Sequence, residues 1–308
     1  MPEISAIKLN KSYKGNQAIS DISFEVNENE LFGFIGPDGA GKTTIFRILT
    51  TLLIPDSGKA IIHGLDSVND FKAIRKLLGY MPGRFSLYQD LSVEENLKFF
   101  ATIFGTTIDE NYDLIKDIYS HIEPFKTRPA GKLSGGMKQK LALSCALIHK
   151  PRVLILDEPT TGVDAVSRKE FWQMLKNLQS KGITIIVSTP YMDEAGLCDR
   201  VALIQKGKIM SIDSPHNIIS QFGEQLWAIR SENIYALKND LLKYNKFKSV
   251  HLFGQYLHCT LEANENSLYL KLWLNQNGHE NIEIKEIQPG IEDCFMKLME
   301  STVEMSNE

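Results

Sequence analysis

The sequence predicts an α/β domain built on strands covered on both faces, followed by a smaller α+β appendage. Three observations point there. Short apolar runs at Leu31–Ile35, Val153–Asp157 and Ile183–Ser188 read as strands buried on both sides. The first run feeds a glycine-rich segment, Gly36-Pro-Asp-Gly-Ala-Gly-Lys-Thr43, which leads into the helically spaced Thr43–Thr50. After residue 222 the composition changes and a new series of strand and helix signals begins. A chain of 308 residues accommodates two domains of ordinary size.

Taken in order, the elements support this division. Residues 4–30 alternate in polarity, and Ile22–Val26 reads as a half-buried strand. Pro55-Asp-Ser-Gly58 is a turn signal. Residues 70–150 read as helix-rich, with Ser92-Val-Glu-Glu95 forming a capping box that opens a helix. Ile204-Gln-Lys-Gly-Lys-Ile209 reads as a hairpin with glycine in its turn. In the appendage, Leu226–Arg230, Val250–Phe253, Tyr256–Leu261 and Ile282–Ile287 read as strands. Helices at Asn233–Tyr244 and Asn266–Leu274 lie between them, giving the order βαββαβ of a ferredoxin-like unit. A last helix, Ile291–Met299, follows Pro289-Gly290, and no internal repeat is visible.

Bulk properties narrow the function classes. With 43% hydrophobic and 23% charged residues, the composition is that of a soluble globular protein. No run approaches the roughly 18 apolar residues of a membrane-spanning helix. The first ten residues carry no apolar stretch of signal-peptide length. The expectation is a soluble, cytosolic chain whose membrane role, if it has one, comes through a partner. A formal net charge of −4 argues against a dedicated nucleic-acid binder. Cys145, Cys198, Cys259 and Cys294 are far apart, without C-x-x-C spacing, and read as buried reduced thiols. None of the histidines (His63, His121, His149, His216, His251, His258, His279) has ligand spacing.

The chemistry begins at residues 36–44. Gly36, Gly39 and Gly41 let the backbone approach an anion, and the following helix adds its positive end. Lys42 is placed to neutralise β/γ-phosphates and Thr43 to ligate Mg²⁺; Pro37, Asp38, Ala40 and Thr44 complete the loop. Asp157 ends an apolar strand, placed to hold Mg²⁺ directly or through water, and Glu158 is placed to take a proton from an attacking water. The alternative is that both acids cap a helix following Pro159. Leu133-Ser-Gly-Gly-Met137 precedes a helix expected to start near Lys138, and Ser134 with its two glycines makes a second anion-binding helix N-terminus.

The phosphate loop, the Leu-Ser-Gly-Gly-Met-Lys-Gln string at 133–139 and Val153–Glu158 together resemble the ATP-binding subunit of an ABC transporter. The resemblance covers residues 3–220 strongly and the last twenty weakly. It implies a P-loop NTPase fold with a helical subdomain at 85–150, an ATPase domain at 1–222 and an accessory domain at 223–308. It also implies that Ser134, Gly135, Gly136, Met137 and Gln139 close over ATP held by a neighbouring ATPase domain, with Asp164 of Thr161-Gly-Val-Asp164 at the dimer seam. Tyr13 matches the aromatic that stacks on adenine in this family; it also reads as an ordinary strand tyrosine. The segment Arg84–Leu91 matches the cleft that receives a membrane subunit, with Phe85, Leu87 and Tyr88 either anchoring there or packing the helical subdomain. Pro289-Gly-Ile-Glu-Asp-Cys-Phe-Met-Lys-Leu298 is similar to the tail of ATPases serving ABC-2 type exporters. The implied function is an ATPase powering export through a separate membrane-spanning permease, as a homodimer or a heterodimer with a second ATPase, on the inner face of the plasma membrane. ATP and Mg²⁺ are the implied cofactors.

Two positions depart from that pattern. Gly83 stands where the family carries a glutamine sensing Mg²⁺ and water, and Pro190 stands where it carries a histidine contacting the γ-phosphate. Removing one preorganised donor to a developing oxyanion costs roughly 10²–10³ in rate. Slow hydrolysis is therefore the expectation, with Lys42, Mg²⁺ and Glu158 retained.

Overall fold

The computed structural model describes residues 2–244, 246–261 and 267–304. It divides into two compact units, Met1–Pro215 and His216–Glu308.

The first unit opens with the long antiparallel strands β1 (Ile4–Tyr13) and β2 (Asn16–Val26), followed by β3 (Leu31–Ile35) and helix α1 (Lys42–Leu49). Next come β4 (Ser57–Ile62), β5 (Leu65–Asp66), α2 (Phe71–Leu77) and β6 (Leu78–Met81). The sequence reading placed residues 78–81 in a helix-rich stretch, but they form a parallel edge strand against residues 153–156. Gly79 fits because a Cβ there would lie 2.4 Å from the Ala146 carbonyl oxygen. Helices α3 (Val93–Ile103), α4 (Ile108–Tyr119) and α5 (Gly135–Leu147) follow. Capping boxes Ser92/Glu95 and Thr107/Glu110 open α3 and α4. Buried Asn96 bolts the loop before α3 in place: its amide donates to the Tyr88, Leu91 and Ser92 carbonyls, and its oxygen accepts from Tyr88 N. The unit ends with β7 (Val153–Asp157), α6 (Ala165–Ser180), β8 (Thr184–Thr189), β9 (Arg200–Gln205) and β10 (Lys208–Asp213).

Two sheets result. One runs β2-β1-β4-β5 and is antiparallel; the other runs β10-β9-β3-β8-β7-β6, parallel except for β10. Their facing side chains share one core in which Phe24, Phe32, Phe34 and Phe46 interlock, with ring centroids 4.9–6.0 Å apart. The apolar runs at 31–35 and 153–157 are buried at every position, which is why they lack alternation.

The turn between β9 and β10 has Lys206 and Gly207 both left-handed, the backbone of a tight hairpin. Gly207 also meets the Ala18 backbone so closely that a Cβ would lie 2.6 Å from the Ala18 oxygen. Its N–H donates to Ala40 O (3.0 Å) and its carbonyl accepts from Ser20 N (2.8 Å). This hairpin therefore buttresses the glycine loop.

The second unit contains α7 (Pro215–Ser220), β11 (Leu226–Arg230), α8 (Ile234–Lys243), β12 (Phe247–Phe253), β13 (Tyr256–Leu261), α9 (Ser267–Gln276), β14 (Glu283–Ile287) and α10 (Ile291–Glu304). The sheet order β12-β13-β11-β14, antiparallel throughout, is that of the expected ferredoxin-like unit. Asn266, expected to begin a helix, lies outside the described residues. Helices α8 and α9 bury Leu237, Leu241, Leu270 and Leu274 against Ile229, Val250, Leu257 and Cys259 of the sheet. On β13, His258 bonds Asp293 of α10 at 2.7 Å.

Candidate nucleotide site

The site lies where open parallel sheets place ligands, at the carboxyl ends of neighbouring strands. Strand β3 ends in the loop at Gly36, β7 ends at Asp157, and β8 ends at Thr189. Gly36 N donates to Thr189 O at 3.3 Å, joining the loop to β8. The loop turns through Pro37, Asp38, Gly39 and Ala40 into Gly41, whose φ of 106° closes it. Gly41 is the N-cap of α1 and contributes no side-chain cap, so the first N–H groups of that helix are presented as an anion site. Thr43 and Thr44 lie in its first turn, part-buried.

Lys42 is only 3% exposed. Its ammonium donates to Gly36 O (2.7 Å) and Pro37 O (2.9 Å) and pairs with Glu158 Oε1 at 3.1 Å. The structure thus brings together the lysine of one motif and the glutamate of another, more than a hundred residues apart. Asp157 is equally buried. Its Oδ1 accepts from the Ser188 hydroxyl at 2.7 Å, and the same hydroxyl accepts from Glu158 N at 2.9 Å. Glu158 itself has a left-handed φ of 50°. Burial first, and then the charge of Asp157, push the neighbouring Tyr80 phenol up to about 12, so it stays protonated.

A hydroxyl on the first turn of an anion-binding helix and a buried carboxylate at an adjacent strand end are hard oxygen donors. Thr43 and Asp157 fit Mg²⁺ by that chemistry, and a phosphate chain fits the open N–H groups and Lys42.

The alternative reading of Asp157 and Glu158 as helix caps fails. Helix α6 begins at Ala165, and its N-cap is Asp164, which accepts from Val166 N and Ser167 N. Those bonds, the one from Ser167 first, hold the Asp164 carboxyl below the usual range. The helix after Leu133 starts at Gly135, three residues earlier than the sequence suggested. Ser134 caps it by accepting from Met137 N. Propensity placed the start too late because both glycines sit inside the first turn.

Gln139 donates to the Pro159 carbonyl, next to Glu158, and a Cβ at Gly136 would lie 3.0 Å from Ser167 Oγ. The 134–139 segment is therefore packed on the loop that follows β7. No hydrogen bond or ion pair among the described residues links Ser134–Met137 to the loop at 36–44. Tyr13 is exposed at the end of β1, in the hairpin whose return strand places the Ala18 carbonyl against Gly41.

At Gly83 a Cβ would lie 3.1 Å from the Asp157 carbonyl oxygen, a close approach that glycine accommodates. Downstream of Pro190, the buried carboxylate of Glu194 accepts from the Thr189 and Thr160 hydroxyls and faces Arg168 Nε at 3.6 Å. Ser188 and Glu194 escaped the sequence reading. The available signal was a polar pair, Ser188-Thr189, ending an otherwise apolar strand.

A groove of about 630 Å³ lies beside this site, lined by Leu52, Tyr80, Met81, Leu87, Ile103 and Phe104 among others. Leu87 is buried, Tyr88 is exposed with its ring edge-on to Phe99, and Phe85 lies under the Lys138 ammonium. Burial keeps the Cys145 thiol, also on the groove wall, well above its ordinary range. No helix among the described residues is long and apolar enough to cross a membrane.

Residues 19–161 match the family model described as ABC transporter. Over 297 residues the chain is 36% identical to the probable multidrug ABC transporter ATP-binding protein YbhF of Escherichia coli, covering 94% of this chain and 51% of that protein. The chain thus spans about half the length of that relative. It is 34% identical over 293 residues to the Nod factor export ATP-binding protein I of a Rhizobium species, with 94% of each covered. Among solved structures it is similar to an ATP binding subunit of an ABC transporter, with 26% identity and a TM-score of 0.65 over 71% of this chain and 93% of that one. It is likewise similar to cbiO1 from Clostridium perfringens, part of the ABC transporter complex cbiONQ, at 27% identity and a TM-score of 0.64 over 71% and 91%.

Proposed function

We propose that this chain, which belongs to the ATP-binding subunits of ABC transporters, couples its ATPase activity to export through a separate ABC-2 type permease. Binding and hydrolysis of ATP with Mg²⁺ follow from family membership; the export partner, the division of labour among residues and the location at the cytoplasmic face of the membrane are our reading. The observation that carries the ATPase part of this reading is the convergence of Lys42, Asp157 and Glu158 on the loop 36–44 beside the ends of β3, β7 and β8.

In this reading Lys42 and the N–H groups of Gly39–Thr44 hold the phosphates, and Tyr13 stacks on adenine. Thr43 and Asp157 hold Mg²⁺, which when bound neutralises phosphate charge. Glu158 accepts the proton of the attacking water once the γ-phosphate takes its place beside Lys42. Ser134, Gly135, Gly136, Met137 and Gln139 serve ATP held by a second ATPase domain, with Asp164 at the seam. The accessory domain at 223–308 carries the export-type tail. Names of relatives that refer to multidrug transport and Nod factor export support an export role, and the apolar groove supports docking of a membrane subunit's helix.

Steady-state ATP hydrolysis across a protein dilution series, with Glu158→Gln as blank, tests the site assignment. Turnover per chain that rises with concentration supports a homodimer with composite sites. A rate at the blank level throughout means that the chain needs its partners or acts chiefly as an ATP-driven clamp; restoration by a second ATPase supports the heterodimer, and restoration by the permease alone shows dependence on the membrane subunit. A Glu158→Gln chain as active as the parent removes Glu158 from the mechanism.

A further inference from the structure

We propose that Ser188 is the positioning residue of this ATPase, fixing the carboxylate of Asp157 for Mg²⁺ and the backbone turn that aims Glu158. The inference rests on the site assignment above and adds a residue that none of its motifs contains.

Ser188 is fully buried and lies directly across the parallel ladder from Asp157. Its hydroxyl is used in both directions. It accepts from Glu158 N at 2.9 Å, so its hydrogen is directed elsewhere, and it donates that hydrogen to Asp157 Oδ1 at 2.7 Å. The bond to an ionised carboxylate belongs to the stronger class of hydrogen bonds. It fixes one oxygen of Asp157 and leaves Oδ2 without a protein donor among the described residues.

The second half of the clamp acts on the chain direction. Glu158 has a φ of 50°, a left-handed conformation that strains a residue carrying a side chain. Such a turn persists where its surroundings determine it. Here the Glu158 N–H is held by both the carbonyl (3.1 Å) and the hydroxyl (2.9 Å) of Ser188. One side chain therefore governs the metal-facing acid and the water-facing acid together. With Gly83 and Pro190 supplying no side-chain donor, this clamp is the polar side-chain contact on Asp157 that remains among the described residues.

The test compares the full-length parent with Ser188→Ala and Ser188→Thr. ATP affinity is measured by fluorescent-nucleotide titration with and without Mg²⁺, alongside turnover and thermal unfolding. Loss of such a supporting partner weakens metal affinity about 10–100-fold. Ser188→Ala is expected to raise the Mg²⁺ midpoint of ATP binding about tenfold, with metal-free ATP affinity within about twofold of the parent and kcat lowered more than KM is raised. Ser188→Thr, which keeps the hydroxyl, is expected to restore the Mg²⁺ midpoint. An unchanged Mg²⁺ midpoint in Ser188→Ala overturns the proposal, whether or not the melting temperature falls. Equal weakening with and without Mg²⁺ also overturns it, because that is the signature of a general structural role. Lys42→Ala separates the two levels: if it binds ATP like the parent, the site assignment has failed rather than the role of Ser188. The binding readout stands even where the isolated chain turns over too slowly to measure.

Discussion

Gly207 belongs to no nucleotide motif, yet its replacement by alanine is expected to weaken ATP binding. The geometry sets the size of the effect. Its φ of 75° is left-handed, which costs alanine about 1–2 kcal/mol. The new Cβ would lie 2.6 Å from Ala18 O and 3.0 Å from Ala18 C, both backbone atoms that cannot rotate away. Forced shifts of this kind cost about 1–3 kcal/mol. The sum, about 2–5 kcal/mol, corresponds to a fall of about 4–20 °C in the melting temperature of a unit this size. The displaced turn also pulls Gly207 N from Ala40 O, so the phosphate loop loses its outer support. An ATP affinity about tenfold weaker, the equivalent of about 1.4 kcal/mol, is expected. Gly64→Ala is the matched control, since Gly64 has a φ of 76° but nothing within 4 Å of a Cβ. It carries the backbone cost alone and leaves ATP binding unchanged. Differential scanning calorimetry and nucleotide titration on both variants decide the matter. A Gly207→Ala chain no less stable than Gly64→Ala, binding ATP like the parent, would refute the reasoning.

Three further outcomes are expected. Pro190→His, which returns a side-chain donor near the γ-phosphate position, should raise turnover about tenfold or more, and an unchanged steady-state rate counts against the role assigned to that position. His149 stacks on Phe104 at 3.7 Å, and burial holds its pKa below the ordinary 6.5. The unfolded chain therefore binds the extra proton first, so stability is complete above pH 6.5 and falls as pH drops from there toward the folded pKa; His149→Phe should flatten the melting-temperature profile across that window. His258→Ala leaves Asp293 Oδ1 buried without its imidazole partner, while Oδ2 keeps the Gly290 N–H, and should destabilise the second unit by about 1–3 kcal/mol, read as faster proteolytic cleavage within residues 216–304.

Much of the fold was legible because burial and motif coincided. Residues 31–35, 153–157 and 184–189 are buried throughout, so their apolar runs announced central strands and placed the loop leading to Lys42, and Asp157 with Glu158, at or after strand ends. The ferredoxin-like order was readable from strand and helix alternation alone. Edge strand β6 was not, because four residues ahead of a proline give too short a pattern to set a period. The early start of α5 was hidden by its two glycines, whose poor propensity is offset by the Ser134 cap. Ser188 acts on a partner 31 residues away in sequence, and Glu194 ties the nearby Thr189 to Thr160, 34 residues away; no local pattern reports such long-range contacts.

Helix α5 gives this chain a lever. Its thirteen residues make a rod roughly 20 Å long. One end is fastened through Gln139 to the carbonyl beside Glu158, while Ala142, Cys145 and Ala146 form part of the groove wall toward the other. A tilt of about 5° in such a rod carries one end roughly 2 Å relative to the other. That displacement exceeds the roughly 0.5 Å range over which N–H···O distances vary, so it is enough to break or make such a bond. Pressure on the apolar groove wall would thereby be felt at the Pro159 carbonyl, next to Glu158, with a single stiff element doing the transmission.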